Sequence, residues 1–137
     1  MKKVKSILAT ALFAVVFSIS AFAQTAPKII AVVNQADWCS VCKANGQRAM
    51  SAFMENNKDG IISLVMNDIT SAETKKKSSA GLSTIGLTDA MKDYQATGVI
   101  YFFDAKTKKP ITQITIANTT EEIGYVMGEV KKAVGKN

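Results

Sequence analysis

A buried β-strand that leads directly into a helix carrying two cysteines is the feature that most constrains this fold. Residues 28–34 (KIIAVVN) form a continuous, mostly β-branched apolar run, typical of a strand buried on both faces. A short turn at residues 35–37 follows, and the apolar spacing becomes helical from Cys39 onward. The sequence therefore predicts a strand-to-helix junction at Cys39, with Cys42 one turn further along the helix.

The rest of the chain predicts an α/β fold of order β-α-β-α-β-β-α. The other expected elements are a strand at 61–66, a helix opened by a capping box at 70–73, a loop at 78–88, a short helix at 89–95, strands at 99–103 and from Pro110, and a last helix after a capping box at 119–122. The first two strands need a helical crossover and should be parallel, whereas the short turn after residue 103 makes the last two antiparallel. Helices should then cover both faces of a four-stranded mixed sheet.

The first 23 residues are typical of a secretory signal peptide. A basic start is followed by an apolar stretch at 7–17 and by Ala21-Phe22-Ala23, whose small first and third residues fit a cleavage site. We therefore predict a signal peptide at 1–23, one domain at 24–137, and a periplasmic or secreted protein without membrane insertion after cleavage. An uncleaved anchor is the alternative, but the stretch is short for a span and no charged flank follows it.

The charge of the mature chain argues against nucleic-acid binding. The full sequence has a formal net charge of +6, and removal of Lys2, Lys3 and Lys5 with the signal lowers this charge to +3. The basic run at 75–77 has no interleaved aromatic residues and is typical of a solvated helix face.

The two cysteines favour redox chemistry over a structural role. Export places them in an oxidising compartment, but a bond between residues only three apart closes too small a loop to stabilise the fold much. At a helix start, free N–H groups and the helix dipole favour a thiolate at Cys39, and the thiolate is the nucleophile. Cys42 lies on the same helical face and can resolve a mixed disulfide formed on Cys39.

The Trp38-Cys39-Ser40-Val41-Cys42 motif after a strand resembles the thioredoxin superfamily. Together with residues 36–37, Lys43 and Phe102-Phe103-Asp104, it is similar to the C-terminal domain of periplasmic thiol–disulfide interchange reductases. The resemblance implies a thioredoxin-like fold and an oxidoreductase without a cofactor. It also implies protein disulfides or dithiols as substrates, with a membrane redox protein as one candidate partner.

The resemblance also implies roles for the residues around the motif. Cys39 would be the exposed attacking thiol and Cys42 the buried resolving thiol. Trp38 would shield the pair, although a plain core aromatic residue is the alternative. Lys43 would help hold a thiolate, although a solvated lysine is the alternative, and Asp37 fits a turn better than a catalytic role.

Two positions depart from the pattern of the family. The usual cis-proline facing the dithiol is replaced by Gly98, or by Thr97 with a shift of one residue, so we expect a trans loop there. The buried acid of classical thioredoxins is replaced by Val33, and the chain has no histidine. Proton exchange with Cys42 is then left to water, Asp37 or Lys43.

Two alternative functions remain open at the level of sequence. Cys39 and Cys42 could bind copper or zinc, but zinc lacks histidine ligands here, and Met50 and Met54 fit a helix core better than a Cu(I) ligand set. The second alternative is a redox-silent interaction domain with a fixed disulfide, in which residues 78–88 offer a contact surface.

Overall fold

The computed structural model describes residues 26–135, and the predicted signal peptide at 1–23 lies outside them. The elements are β1 (Ile29–Gln35), α1 (Ser40–Asn56), β2 (Ile62–Asp68), α2 (Ala72–Thr84), a 3₁₀ turn (Ala90–Asp93), β3 (Val99–Asp104), β4 (Pro110–Thr115) and α3 (Thr120–Gly135). No helix within the described part of the chain is long and apolar enough to cross a bilayer.

The four strands form one mixed sheet in the spatial order β2-β1-β3-β4. β1 pairs parallel with β2 and antiparallel with β3, and β3 pairs antiparallel with β4. This order confirms the predicted α/β, thioredoxin-like fold. β1 is a central strand, and α1 begins shortly after its end.

Apolar side chains fill a core on each face of the sheet. On one face Phe53 of α1 and Met127 of α3 pack against Phe102 of β3. On the other face Leu82 of α2 packs with Phe103 of β3. Because β1 lies between these two layers, six of its seven residues are buried, which explains its continuous apolar run.

Some element boundaries differ from the predicted ones. Residues 78–84, predicted as loop, belong to α2, because Leu82 is buried against the sheet and this packing outweighs the small and polar local sequence. The N-cap of α2 is Ser71, which forms a capping box with Thr74, rather than Thr70. The second capping box is confirmed, since Thr119 and Glu122 exchange hydrogen bonds at the start of α3.

Candidate functional site

Cys39 and Cys42 form a disulfide at the beginning of α1, with their Cα atoms 5.2 Å apart. Cys39 is the N-cap residue of this helix, and its Sγ accepts a hydrogen bond from the backbone N–H of Cys42 at 3.2 Å. The sulfur therefore occupies the place of a capping oxygen and faces a helix N–H group. An anionic sulfur at this position is stabilised by that hydrogen bond and by the helix dipole.

The exposure of the two cysteines is the reverse of what the family resemblance implied. Cys39 is only 6% exposed, whereas Cys42 is half-buried. The backbone at Gly98 covers Cys39, since a Cβ placed on Gly98 would lie 3.7 Å from Cys39 Sγ and 3.1 Å from Val41 Cγ1. Access to Cys39 Sγ is therefore restricted on the side of Val41 and Gly98.

Trp38 lies at the rim of the site and is 62% exposed, so the alternative of a plain core aromatic residue is wrong. Its indole Nε1 donates to the carbonyl of Thr70 at 3.3 Å. The backbone N–H of Asp37 donates to Thr70 Oγ1 at 3.0 Å. Hydrogen bonds from Thr70 also lower the pKa of the Asp68 carboxyl. The turn before the dithiol is thus tied to the end of β2.

The side chains of Asp37 and Lys43 are exposed beside the dithiol. Val33, six residues before Cys39 at the position where the family resemblance puts a buried acid, is buried and lines the same cavity as Cys42.

Gly98 lies opposite the dithiol, in the loop where the family resemblance placed it, and Thr97 precedes it half-buried. No peptide bond in residues 26–135 is cis, in agreement with the expected trans loop. Gly98 has a φ of 72°, which favours glycine. Its N–H donates to the Asn34 carbonyl at 2.8 Å, and its carbonyl accepts from the N–H of Ile116 at 2.9 Å. Both backbone groups are used within the fold, so neither is available to pair with a substrate.

Asn34 is a positioning residue that the sequence analysis missed. Its side chain is fully buried, and its Nδ2 donates to the carbonyls of Tyr94 at 2.8 Å and Ala96 at 3.1 Å. Its Oδ1 accepts from Asn67 Nδ2 at 2.8 Å. A polar residue at the end of an otherwise apolar strand was the available signal, since buried amides need partners.

Arg48 of α1 hydrogen-bonds to Ile116, the residue that pairs with Gly98. Its Nη2 donates to the carbonyl of Ile116 at 2.9 Å and to Asn45 Oδ1 at 3.2 Å. Ile116 in turn donates its N–H to Gly98. The arginine therefore connects the helix that carries the dithiol to the segment that covers Cys39.

A cavity of about 100 Å³ lies between α1 and the sheet, behind Cys42. Its walls include Val33, Met50, Leu64 and Met66, and Gln35 contributes a polar group. No charged side chain of the described residues lines it. The surroundings of Cys42 on this side are therefore apolar.

The side chains that could bind a metal ion are few around the dithiol. Residues 26–135 contain no group of three or more histidine, cysteine, aspartate or glutamate side chains that could hold a metal ion. Any metal bound by the dithiol would need methionine, solvent or a second molecule to complete its ligands.

Comparison with known proteins does not identify the family of this chain. No protein-family model matches the chain, and no curated protein matches it. Five chains of solved structures match it. One is the crystal structure of Trxlp from Edwardsiella tarda EIB202, at 14% identity and a TM-score of 0.49, covering 76% of this chain and 85% of that one. At this level the likeness carries no argument of its own. The thioredoxin-like fold and the Cys39–Cys42 disulfide rest on the strand order and the geometry described above.

Proposed function

We propose that the protein is an exported thiol–disulfide oxidoreductase that exchanges disulfides with protein partners through Cys39 and Cys42. The observation that carries the proposal is the position of this pair at the start of α1, where Cys39 Sγ accepts the N–H of Cys42. The same hydrogen bond that caps the helix stabilises a thiolate on Cys39 once the disulfide is reduced.

The reaction then follows from the spacing of the two sulfur atoms. In the reduced protein, the Cys39 thiolate attacks one sulfur of a partner disulfide, forms a mixed disulfide and releases the other partner sulfur as a thiolate. Cys42 loses its proton and attacks Cys39 Sγ, so the Cys39–Cys42 bond forms and the second partner thiolate leaves. Two electrons pass from this protein to the partner, and the reverse sequence oxidises a partner dithiol.

The sequence of residues 1–23 supports action outside the cytoplasm, in the periplasm or after secretion. Disulfide partners are common in that compartment. A membrane redox protein that reduces or oxidises Cys39–Cys42 is the partner class implied by the resemblance to periplasmic interchange reductases.

Single cysteine variants test the proposal. With dithiothreitol as the reductant and a disulfide-bonded protein as the substrate, Cys39→Ser should lower the rate of reduction to that of dithiothreitol alone. Reduced Cys42→Ser, freed of dithiothreitol and mixed with the substrate, should accumulate a mixed disulfide at Cys39. Ser83→Ala, at the end of α2 on the opposite face of the sheet, is the control and should keep full activity. Retention of activity by Cys39→Ser would refute the proposal, and a Cys39–Cys42 bond that resists glutathione would favour the redox-silent interaction domain.

Binding of Cu(I) is a second candidate, favoured by the sulfur atoms around one cavity. Cys42, Met50 and Met66 all line it, and soft thiolate and thioether ligands select Cu(I). Met54 does not belong to this set or to the helix core, because it is 60% exposed. Anaerobic titration of the reduced protein with Cu(I), in competition with a chelator, tests this candidate. The candidate requires stoichiometric Cu(I) binding, and Met50→Leu and Met66→Leu should each weaken that binding.

A further inference from the structure

The outer edge of β2 has no strand partner in residues 26–135, and it borders the same cavity as Cys42. β2 pairs only with β1, so one side of the strand has no neighbouring strand among the described residues. The N–H of Ile69 donates to Gln35 of β1. Successive residues direct their backbone groups alternately to the two sides of a strand. Since Ile69 points to β1, the backbone N–H and C=O groups of the even-numbered residues of β2 point away from β1.

Side chains already occupy both ends of this edge. At one end Asn57 accepts from the N–H of Ile62 at 3.0 Å and donates to its carbonyl at 2.6 Å. At the other end Ser78 Oγ accepts from the N–H of Asp68 at 2.9 Å and donates to its carbonyl at 3.2 Å. We call Asn57 and Ser78 the edge plugs.

Between the edge plugs lie the outward N–H and C=O groups of Leu64 and Met66. These four groups have no hydrogen-bond partner among residues 26–135. We call this stretch the open edge segment. Its length suits the pairing of a strand only about three residues long.

The open edge segment adjoins the apolar cavity behind Cys42. Leu64 and Met66 line this cavity together with Met50 and Cys42, and Met66 is 38% exposed. A dry cavity of about 150 Å³ holds a benzene ring. The present cavity of about 100 Å³ therefore suits one aliphatic side chain.

We propose that the open edge segment binds an extended segment of a protein substrate, which adds a short strand to β2 and places an aliphatic side chain in the cavity beside Cys42. The backbone pairing gives affinity and the cavity gives preference for the side chain. The physiological meaning of this site rests on the proposed disulfide exchange, but its occupancy does not depend on electron transfer.

A second copy of this chain fits the edge less well than a flexible segment. In a two-fold antiparallel pairing with Leu64 opposite Met66, Ile62 of one copy would lie opposite Asp68 of the other. The edge plugs fill the space beside both residues. A flexible peptide can turn away from β2 beyond the open edge segment, whereas a seven-residue strand held in a sheet cannot.

Titration of the ¹⁵N-labelled, oxidised protein with an acetylated and amidated Thr-Val-Ile-Val-Thr peptide tests the proposal. The amides of Leu64 and Met66 should shift and exchange more slowly with solvent, while Gln113 on the β4 edge should not change. Two N-methylated versions of the peptide, modified at its odd or at its even residues, provide matched probes. Only the version that blocks the N–H groups facing β2 should bind about tenfold more weakly.

Proline substitution tests the same edge from the protein side. Met66→Pro removes an outward N–H and leaves the ladder to β1 intact, so peptide affinity should fall about tenfold. Gln113→Pro is the matched control, and it should leave peptide affinity unchanged. The N–H of Ile116 points to β3, and backbone groups alternate along a strand, so the N–H of Gln113 points outward from the β4 edge. If Met66→Pro does not fold, Met66→Lys places a charge at the cavity and should weaken binding similarly.

Three outcomes would overturn this proposal. In the first, the peptide shifts the amide signals of Trp38, Val41 and Gly98 but not those of Leu64 and Met66. In the second, the peptide shifts no amide signal. In the third, the Leu64 and Met66 amides are protected without peptide because the protein self-associates. Because the titration involves no electron transfer, failure of the proposed redox function would appear only in the disulfide-reduction assay.

Discussion

At the scale of single residues, Gly98 and Asn34 shape the dithiol site without any thiol chemistry of their own. Gly98 covers Cys39 closely because it lacks a side chain and adopts a φ of 72°. Asn34 holds the preceding segment through the carbonyls of Tyr94 and Ala96, and its own carbonyl accepts the N–H of Gly98. Backbone atoms at Gly98, rather than a charged side chain, thus cover Cys39.

Substitution of Gly98 tests this view of the loop. Gly98→Ala should lower the free energy of unfolding by about 1–2 kcal/mol, because left-handed backbone disfavours residues with a Cβ. Here the new methyl would also lie 3.1 Å from Val41 Cγ1. Gly81→Ala is the matched control, since nothing lies within 4 Å of a Cβ there inside α2, and it should raise stability by about 0.5–1 kcal/mol. Urea denaturation of both variants checks these opposite signs, and equal stability of the two would contradict the proposed geometry.

At the scale of elements, Lys131 joins the two helices that cover the dithiol side of the sheet. Its Nζ on α3 donates to the carbonyl of Asn56 at the end of α1 and to Asp59 Oδ2 at 2.8 Å. The hydrogen bond from Lys131, assisted by the N–H of Ile61, lowers the pKa of Asp59 below its ordinary value of 3.8. The ionised form of Asp59 therefore favours the folded state.

Asp59→Asn tests this contact through the pH dependence of stability. A lowered pKa in the folded state stabilises the protein above about pH 4 and loses that effect as the pH falls through the folded value. The Asp59 side chain is 44% exposed, so the loss at pH 7 should stay below about 1 kcal/mol. The difference from the parent protein should begin to shrink as the pH falls below about 4 and should continue to shrink as the pH falls through the folded pKa, as measured by urea denaturation.

Glu55→Gln removes the same charge from an exposed position of α1 and serves as the control. A difference between Asp59→Asn and the parent that stayed constant from pH 7 down to the lowest pH at which both proteins fold would show that charge is not the cause.

At the scale of the whole molecule, the sheet has two edges that must avoid uncontrolled pairing. Natural proteins block such edges with short strands, prolines, charges or covering side chains. The β4 edge begins with Pro110 and carries exposed polar residues. The β2 edge is more apolar, and Asn57 and Ser78 cover its two ends.

Removal of both edge plugs should cause self-association. The double variant Asn57→Ala with Ser78→Ala exposes the backbone groups of Ile62 and Asp68, so that the whole of β2 becomes free to pair. We expect sedimentation velocity to show dimers or larger species that increase with concentration. Thr84→Ala with Asn118→Ala is the control, because these side chains bond within their own segments. A double variant as monomeric as this control would show that the plugs do not protect the edge.

Much of the fold could be predicted because its signals are carried by neighbouring residues. The apolar run of β1, the change to helical spacing at Cys39 and the capping box at Thr119 each depend on a few contiguous side chains. The end of α2 was mispredicted because the local sequence at 78–84 is small and polar, and only the burial of Leu82 against the sheet stabilises helix there.

The sequence by itself determined the order of the elements and the place of the two cysteines at a helix start. Only the tertiary structure decided that Cys39 is the more buried of the pair, that Gly98 covers it, and that an apolar cavity lies behind Cys42. The physical reason is the range of the interactions involved. Helical spacing and caps act within one or two turns, whereas burial and access depend on segments that are distant in the chain and meet only when the sheet assembles.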